Sequence, residues 1–85
     1  MAVPKVILMD ALLLLKTSPG ANSSEIAHFL TTLPGARKVF FTQGSYSFVT
    51  RIKSTMDTAN EIMKKMNGKK EILSFEWVEI GLLFE

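Results

Sequence analysis

From Val3 to Thr17 nearly every position is apolar. In an extended chain Leu8, Leu12 and Leu14 fall on one side, and Ile7, Met9, Ala11, Leu13 and Leu15 on the other. Such runs mark a strand covered on both faces; leucine also suits a helix, which is the competing reading. Pro19-Gly20 breaks the run. Asn22 to Leu33 then changes period: Ile26, Phe29, Leu30 and Leu33 form one helical stripe, Asn22 with Glu25 fits a capping box, and Pro34-Gly35 ends the helix. Leu33 to Ile52 returns to alternation and reads as a β-hairpin. Val39 and Phe41 face one way and Phe40 the other; Tyr46, Phe48 and Ile52 face one way and Val49 the other. Gln43-Gly44-Ser45 is a small polar reversal between them. Ser54 to Met66 is a second helix, capped by Ser54 or Thr55 with Asp57 in its first turn. Its apolar stripe is Met56, Ala59, Ile62, Met63 and Met66, with Glu61 and Lys65 paired on the outside. Asn67-Gly68 stops it. Glu71 to Phe84 is the last strand, Ile72, Val78, Ile80 and Leu82 alternating with Leu73, Phe75, Trp77 and Leu83.

The order β-α-β-β-α-β predicts a ferredoxin-like α+β fold, a four-stranded antiparallel sheet with two helices on one face, in one domain spanning 1-85. Two helices cover one sheet face only. The other face keeps several large apolar side chains, each stabilising by about 1.5–3 kcal/mol when buried, and a patch of that size marks an interface. The pattern therefore predicts self-association into a homodimer or a higher homo-oligomer of the dimeric α+β barrel type. Alternation alone does not say which face of the last strand is uncovered.

Composition narrows the function classes. The chain has 85 residues, 47% hydrophobic, with a formal net charge of +2 and no cysteine. A core this small gains from oligomerisation, and disulfide or thiolate chemistry is excluded. The apolar run from Val6 to Leu15 holds Asp10 and is about half the ~20 residues a spanning helix needs, so no membrane role is expected and a cytoplasmic location fits. A net charge this small does not announce nucleic-acid binding.

The turn Thr42, Gln43, Gly44, Ser45, Tyr46, Ser47 is the leading ligand-site candidate. Backbone N–H groups at a glycine turn can meet a carboxylate, and four hydroxyls can complete a small polar pocket. An ordinary polar hairpin turn explains the same residues. His28, the single histidine, falls on the polar side of its helix with no second ligand to build a metal site. Glu76 and Glu79 are three apart on a strand and so face opposite ways. Asp10 reads as a ligand contact or, in preference, as half of an ion pair with a basic residue across an interface. Lys64, Lys65, Lys69 and Lys70 gather at a helix C-terminus, where the dipole favours them; they read as a solvated helix end, with a phosphate-binding patch as the alternative. No nucleophile–base set and no cofactor motif is present, so neither an enzyme nor a cofactor is expected.

Several of these residues also carry a likeness. Pro19-Gly20 after strand one, Leu33-Pro34-Gly35 closing the helix, the strand Ala36-Arg37-Lys38-Val39-Phe40, and the turn from Gly44 into Phe48-Val49 resemble the RAM domain, the effector-binding domain of the Lrp/AsnC (feast/famine) regulators. The fit runs from about Ala11 to Ile80. The resemblance implies an amino-acid-sensing module in transcription regulation, binding an amino acid or related metabolite at the Gly44 turn. Two features depart from the family pattern. Strand one starts a few residues from Met1, leaving no room for a helix-turn-helix domain, so a stand-alone module is expected that does not bind DNA directly and acts on a full-length Lrp/AsnC regulator by mixed assembly. Where the family's turn carries an acid for the ligand's ammonium, this chain has Ser47, which supplies no charge. Two other classes share the element order. An RNA-binding RRM would use Tyr46-Ser47-Phe48-Val49 as its aromatic strand, although Ala11 to Leu15 offers no second aromatic. A purely structural oligomerisation module needs no ligand.

Overall fold

The computed structural model describes residues 9–81. Its elements run β1 (Met9–Thr17), α1 (Ser23–Thr31), β2 (Ala36–Phe41), β3 (Phe48–Ser54), α2 (Met56–Asn67) and β4 (Ile72–Glu79). The four strands form one antiparallel sheet in the order β2-β3-β1-β4. This is the ferredoxin-like α+β arrangement expected from the sequence. The segments expected to extend strand one from Val3 to Leu8 and strand four from Leu82 to Phe84 lie outside the described residues.

Both helices start where a side chain satisfies a leading N–H group. Asn22 Oδ1 accepts from Glu25 N–H at 3.1 Å, and Thr55 Oγ1 accepts from Thr58 N–H at 3.3 Å. Thr55 is therefore the cap of α2, and Ser54 is instead buried at the end of β3. Gly35, in the Leu-Pro-Gly closure after α1, has φ +82° and lies so close to Lys53 O that no side chain fits. Its own carbonyl accepts from Lys53 N–H at 3.0 Å, tying the turn to β3.

Leu13, Leu15, Phe48 and Ile52 from the sheet pack on Ile26, Leu30 and Leu33 from the α1 side and Ile62 and Met66 of α2. Phe75 and Trp77 pair with Leu15 and Leu13 and also pack on this core, which settles the face of strand four. Simple alternation fails at two places there and on α2. A register shift beside Thr17 brings Ile72 onto the core side with Phe75 and Trp77, leaving Leu73 63% exposed. Met56, placed on the α2 stripe by period, is exposed because it is the first residue of the helix, before the stripe turns inward.

The uncovered face has a regular layout. In the order β2, β3, β1, β4 one row reads Lys38, Arg51, Leu12, Val78, and the next reads Phe40, Val49, Leu14, Glu76. Lys53 beside Asp10 lies beyond the first row, and Lys16 beside Ser74 beyond the second. The centre is thus apolar, with a basic corner on β2–β3 and an acid on β4. Asp10 does not wait for a partner across an interface: Arg51 of the same chain donates to both its carboxylate oxygens, at 3.0 and 3.3 Å.

Candidate functional site

The end of the sheet that carries Lys16 closes with two loops. Residues 18–22 lead from β1 into α1, and residues 42–47 join β2 to β3. The second loop is longer than the expected three-residue reversal. It is closed by Thr42 N–H donating to Ser47 O at 3.0 Å and by the Thr42 hydroxyl donating to Tyr46 O at 2.7 Å. Gly44 takes φ +137° at its tip, a conformation L side chains rarely adopt. Ser47 N–H donates to Leu15 O at 2.8 Å, and Ser47 Oγ accepts from Thr17 N–H at 3.2 Å. Serine at this position therefore fastens the hairpin loop to the end of β1.

Between the loops lies a cavity of about 350 Å³. Thr17, Ser18, Pro19, Ala21 and Ser23 line one side, and Phe41, Thr42, Gly44, Tyr46, Ser47 and Phe48 line the other. Four of the six residues singled out from the sequence are thus brought together: Thr42, Gly44, Tyr46 and Ser47. Gln43 and Ser45 are exposed and do not line the cavity. The β1–α1 side, Thr17 to Ser23, was not among the residues expected from the sequence. Its signal was present in the hydroxyl- and proline-bearing run Thr17-Ser18-Pro19, but only the fold shows that this run faces the Gly44 turn.

The cavity can do three things chemically. Ser23 opens α1 and brings a hydroxyl and the positive end of the helix dipole to the lining, with the Glu25 N–H of that turn already held by Asn22 Oδ1. Ser47 has one lone pair taken by Thr17, and its proton is left to donate to a ligand oxygen. Phe41 and Phe48 make an edge-to-face wall, with centroids 5.8 Å apart and an interplanar angle of 80°. No ionisable acid or base other than the Tyr46 phenol lines it. The set suits a small ligand with a carboxylate and an apolar part, and offers little to an ammonium.

Tyr46 points differently from the expected face. It precedes β3 and does not share the buried side of Phe48. Its hydroxyl donates to Glu76 Oε2 at 2.6 Å, and Glu76 sits beside Leu14 on the uncovered face. The carboxylate hydrogen bond and its charge raise the Tyr46 pKa above that of free tyrosine. A raised phenol pKa means that the contact stabilises the fold below the ordinary tyrosine range and is lost as pH rises through the folded value. Because Tyr46 is the single tyrosine, an ultraviolet titration reads it directly. The expected midpoint lies above that of free tyrosine and falls back in Glu76→Gln.

A larger groove of about 510 Å³ runs over the outside of α1, lined by Ser24, Glu25, His28, Phe29, Thr32 and Lys69. Lys69 Nζ lies 5.1 Å from the centre of the Phe29 ring and 3.8 Å from Glu71, so its charge is already engaged. The Thr32 hydroxyl is likewise committed, donating to Phe29 O at 2.6 Å, and the smaller cavity, which holds four of the six residues singled out from the sequence, is the better candidate. Among the described residues no group of three His, Cys, Asp or Glu side chains could hold a metal ion, and no helix is long and apolar enough to cross a membrane.

No protein-family model and no curated protein sequence matches this chain. Solved structures do. FFRP-DM1 superposes with a TM-score of 0.74 at 19% identity, covering 85% of this chain and 97% of its own. The hypothetical protein PHS023 from Pyrococcus horikoshii gives 0.74 at 19% identity, covering 91% and 93%. PH0061 gives 0.74 at 16% identity over 100% of this chain, which spans 62% of the PH0061 chain. At these identities the likeness is one of fold.

Proposed function

We propose that this chain is a ligand-sensing module of the Lrp/AsnC type, which self-assembles through its uncovered sheet face and binds a small carboxylate-bearing metabolite between the β1–α1 and β2–β3 loops. The observation that carries this reading is the cavity itself. It combines a helix N-terminus, a free hydroxyl proton and an aromatic wall in a volume at the small end of ligand sites. The fold shared with FFRP-DM1 and PH0061 is the one this reading requires. The sequence features shared with the RAM domain around Gly35 and Gly44 support it. The ligand is an amino acid or, since no acid lines the cavity, a related metabolite without the ammonium, such as a 2-oxo acid. The module is not an enzyme; it tunes transcription by changing how it assembles with itself or with a full-length regulator of the same type.

The RRM reading is disfavoured by the positions of the aromatics. An RRM stacks bases on aromatic side chains of the open sheet face. Here the described open-face positions of the two central strands are Asp10, Leu12, Leu14 and Lys16 on β1, and Val49, Arg51 and Lys53 on β3. Phe48 is 3% exposed on the helix side. A thermal-melt screen against amino acids, 2-oxo acids and single-stranded RNA, run beside a mass measurement, separates the classes. Stabilisation by a carboxylate metabolite is expected; stabilisation by RNA that is lost in Tyr46→Ala would favour the RRM class.

A further inference from the structure

At the end of the sheet away from this cavity, Arg37 and Lys38 of β2 and Arg51 and Lys53 of β3 line a groove of about 290 Å³ with Asp10 of β1. The backbone gathers them. Pairing of β2 with β3 is regular from Lys38 to Phe41 and shifts between Ala36 and Lys38, so Arg37 is the extra residue of a bulge. In an unbroken strand Arg37 and Lys38 would face opposite ways. A bulge re-aims a side chain, and both residues line the same groove.

Asp10 organises the groove without neutralising it. Its two oxygens accept from Arg51 Nε at 3.3 Å and Nη2 at 3.0 Å, which fixes the plane of the guanidinium. The Arg51 hydrogen bond lowers the Asp10 carboxyl pKa against an opposing desolvation, with smaller help from the charges of Arg51 and Lys53. Among the described residues Arg37, Lys38 and Lys53 have no carboxylate within 4.0 Å. At the end of α2 two of the four lysines are paired, Lys65 lying 3.7 Å from Glu61 and Lys69 lying 3.8 Å from Glu71. Four cations less one carboxylate leave the groove at +3, whereas the whole chain is +2. The positive charge is therefore local and not a general property of the surface.

We propose that this groove is a second binding site, for a small molecule carrying linked phosphates. Arg51, already oriented, presents its remaining N–H groups, and Arg37, Lys38 and Lys53 supply the charges around it. A polynucleotide fits less well. The next positions across the face are Leu12, Val78, Phe40, Val49 and Leu14, ending in Glu76, so no cationic track continues for a backbone to follow, and nucleic-acid affinity comes from several phosphate contacts in succession.

Calorimetry with pyrophosphate at low and at physiological salt tests this on the full chain. Three proteins are compared: the natural sequence, the double variant Arg37→Gln/Lys53→Gln, and Lys64→Gln/Lys70→Gln, which removes equal charge at the end of α2. Saturable binding that survives physiological salt is expected, weakened about tenfold or more in the groove variant and little changed in the α2 variant. Absence of saturable binding, or equal weakening in both variants, would overturn the proposal. So would groove-dependent binding of duplex DNA by a protein that does not bind pyrophosphate.

Discussion

Leu14→Lys is expected to convert an assembled protein to a monomer while leaving the fold intact. Leu14 stands at the middle of the uncovered face, between Val49 and Glu76 in register. Its own protomer tolerates lysine, because the cross-strand neighbour Glu76 offers an opposite charge. The proposed interface would not tolerate it. In a two-fold contact each substitution counts twice, and losing two buried leucines removes about 3–6 kcal/mol, or roughly two to four powers of ten in the dimer dissociation constant. Light scattering measures the change and circular dichroism checks the fold. Trp77→Lys has the opposite signature. Trp77 packs on the helix-covered core, so the melt collapses for reasons unrelated to assembly. A natural sequence that is already a 9.5 kDa monomer at micromolar concentration would rule out self-association through this face.

Ser47→Asp is expected to tighten binding of a free amino acid by about ten- to a hundredfold, the range given by one charge-assisted contact of ~1.5–3 kcal/mol. The geometry makes the substitution reasonable. One carboxylate oxygen can keep the bond that Ser47 Oγ accepts from Thr17 N–H, and the other faces the cavity, where it meets an ammonium. The same change should weaken a 2-oxo acid, since the hydroxyl proton is lost and a negative charge is added. Calorimetry with matched pairs of amino acids and their 2-oxo acids reads both directions. If both ligand types respond alike to the substitution, Ser47 does not face the ligand.

Much of the fold was legible in the chain because its periods are clean. Ile26 and Leu30 repeat as a helix must, with Leu33 buried just past its end, Ala11, Leu13 and Leu15 alternate as a buried strand face must, and Asn22 and Thr55 cap as their side chains allow. What alternation could not carry were the bulges. One extra residue beside Thr17 moved Ile72 to the other face, and another at Arg37 gathered the basic corner. Nor does local pattern bring distant loops together. The Gly44 turn was visible as a candidate, but Thr17, Ser18 and Ser23 join it only through the β1–β3 pairing. Strand period puts Tyr46 on the side of Phe48, but Tyr46 belongs to the loop before β3 and does not obey it. Nothing local pairs Asp10 with Arg51, which is distant in sequence and adjacent to it only through the β1–β3 register.

Amide chemical-shift mapping during titration with amino acids and 2-oxo acids tests the ligand-sensing proposal most directly. Saturable shifts centred on Thr17, Ser18, Ser23, Gly44 and Ser47 are the expected result. Absence of any saturable shift, or saturable shifts confined to the sheet face or to the α1 groove, would contradict it.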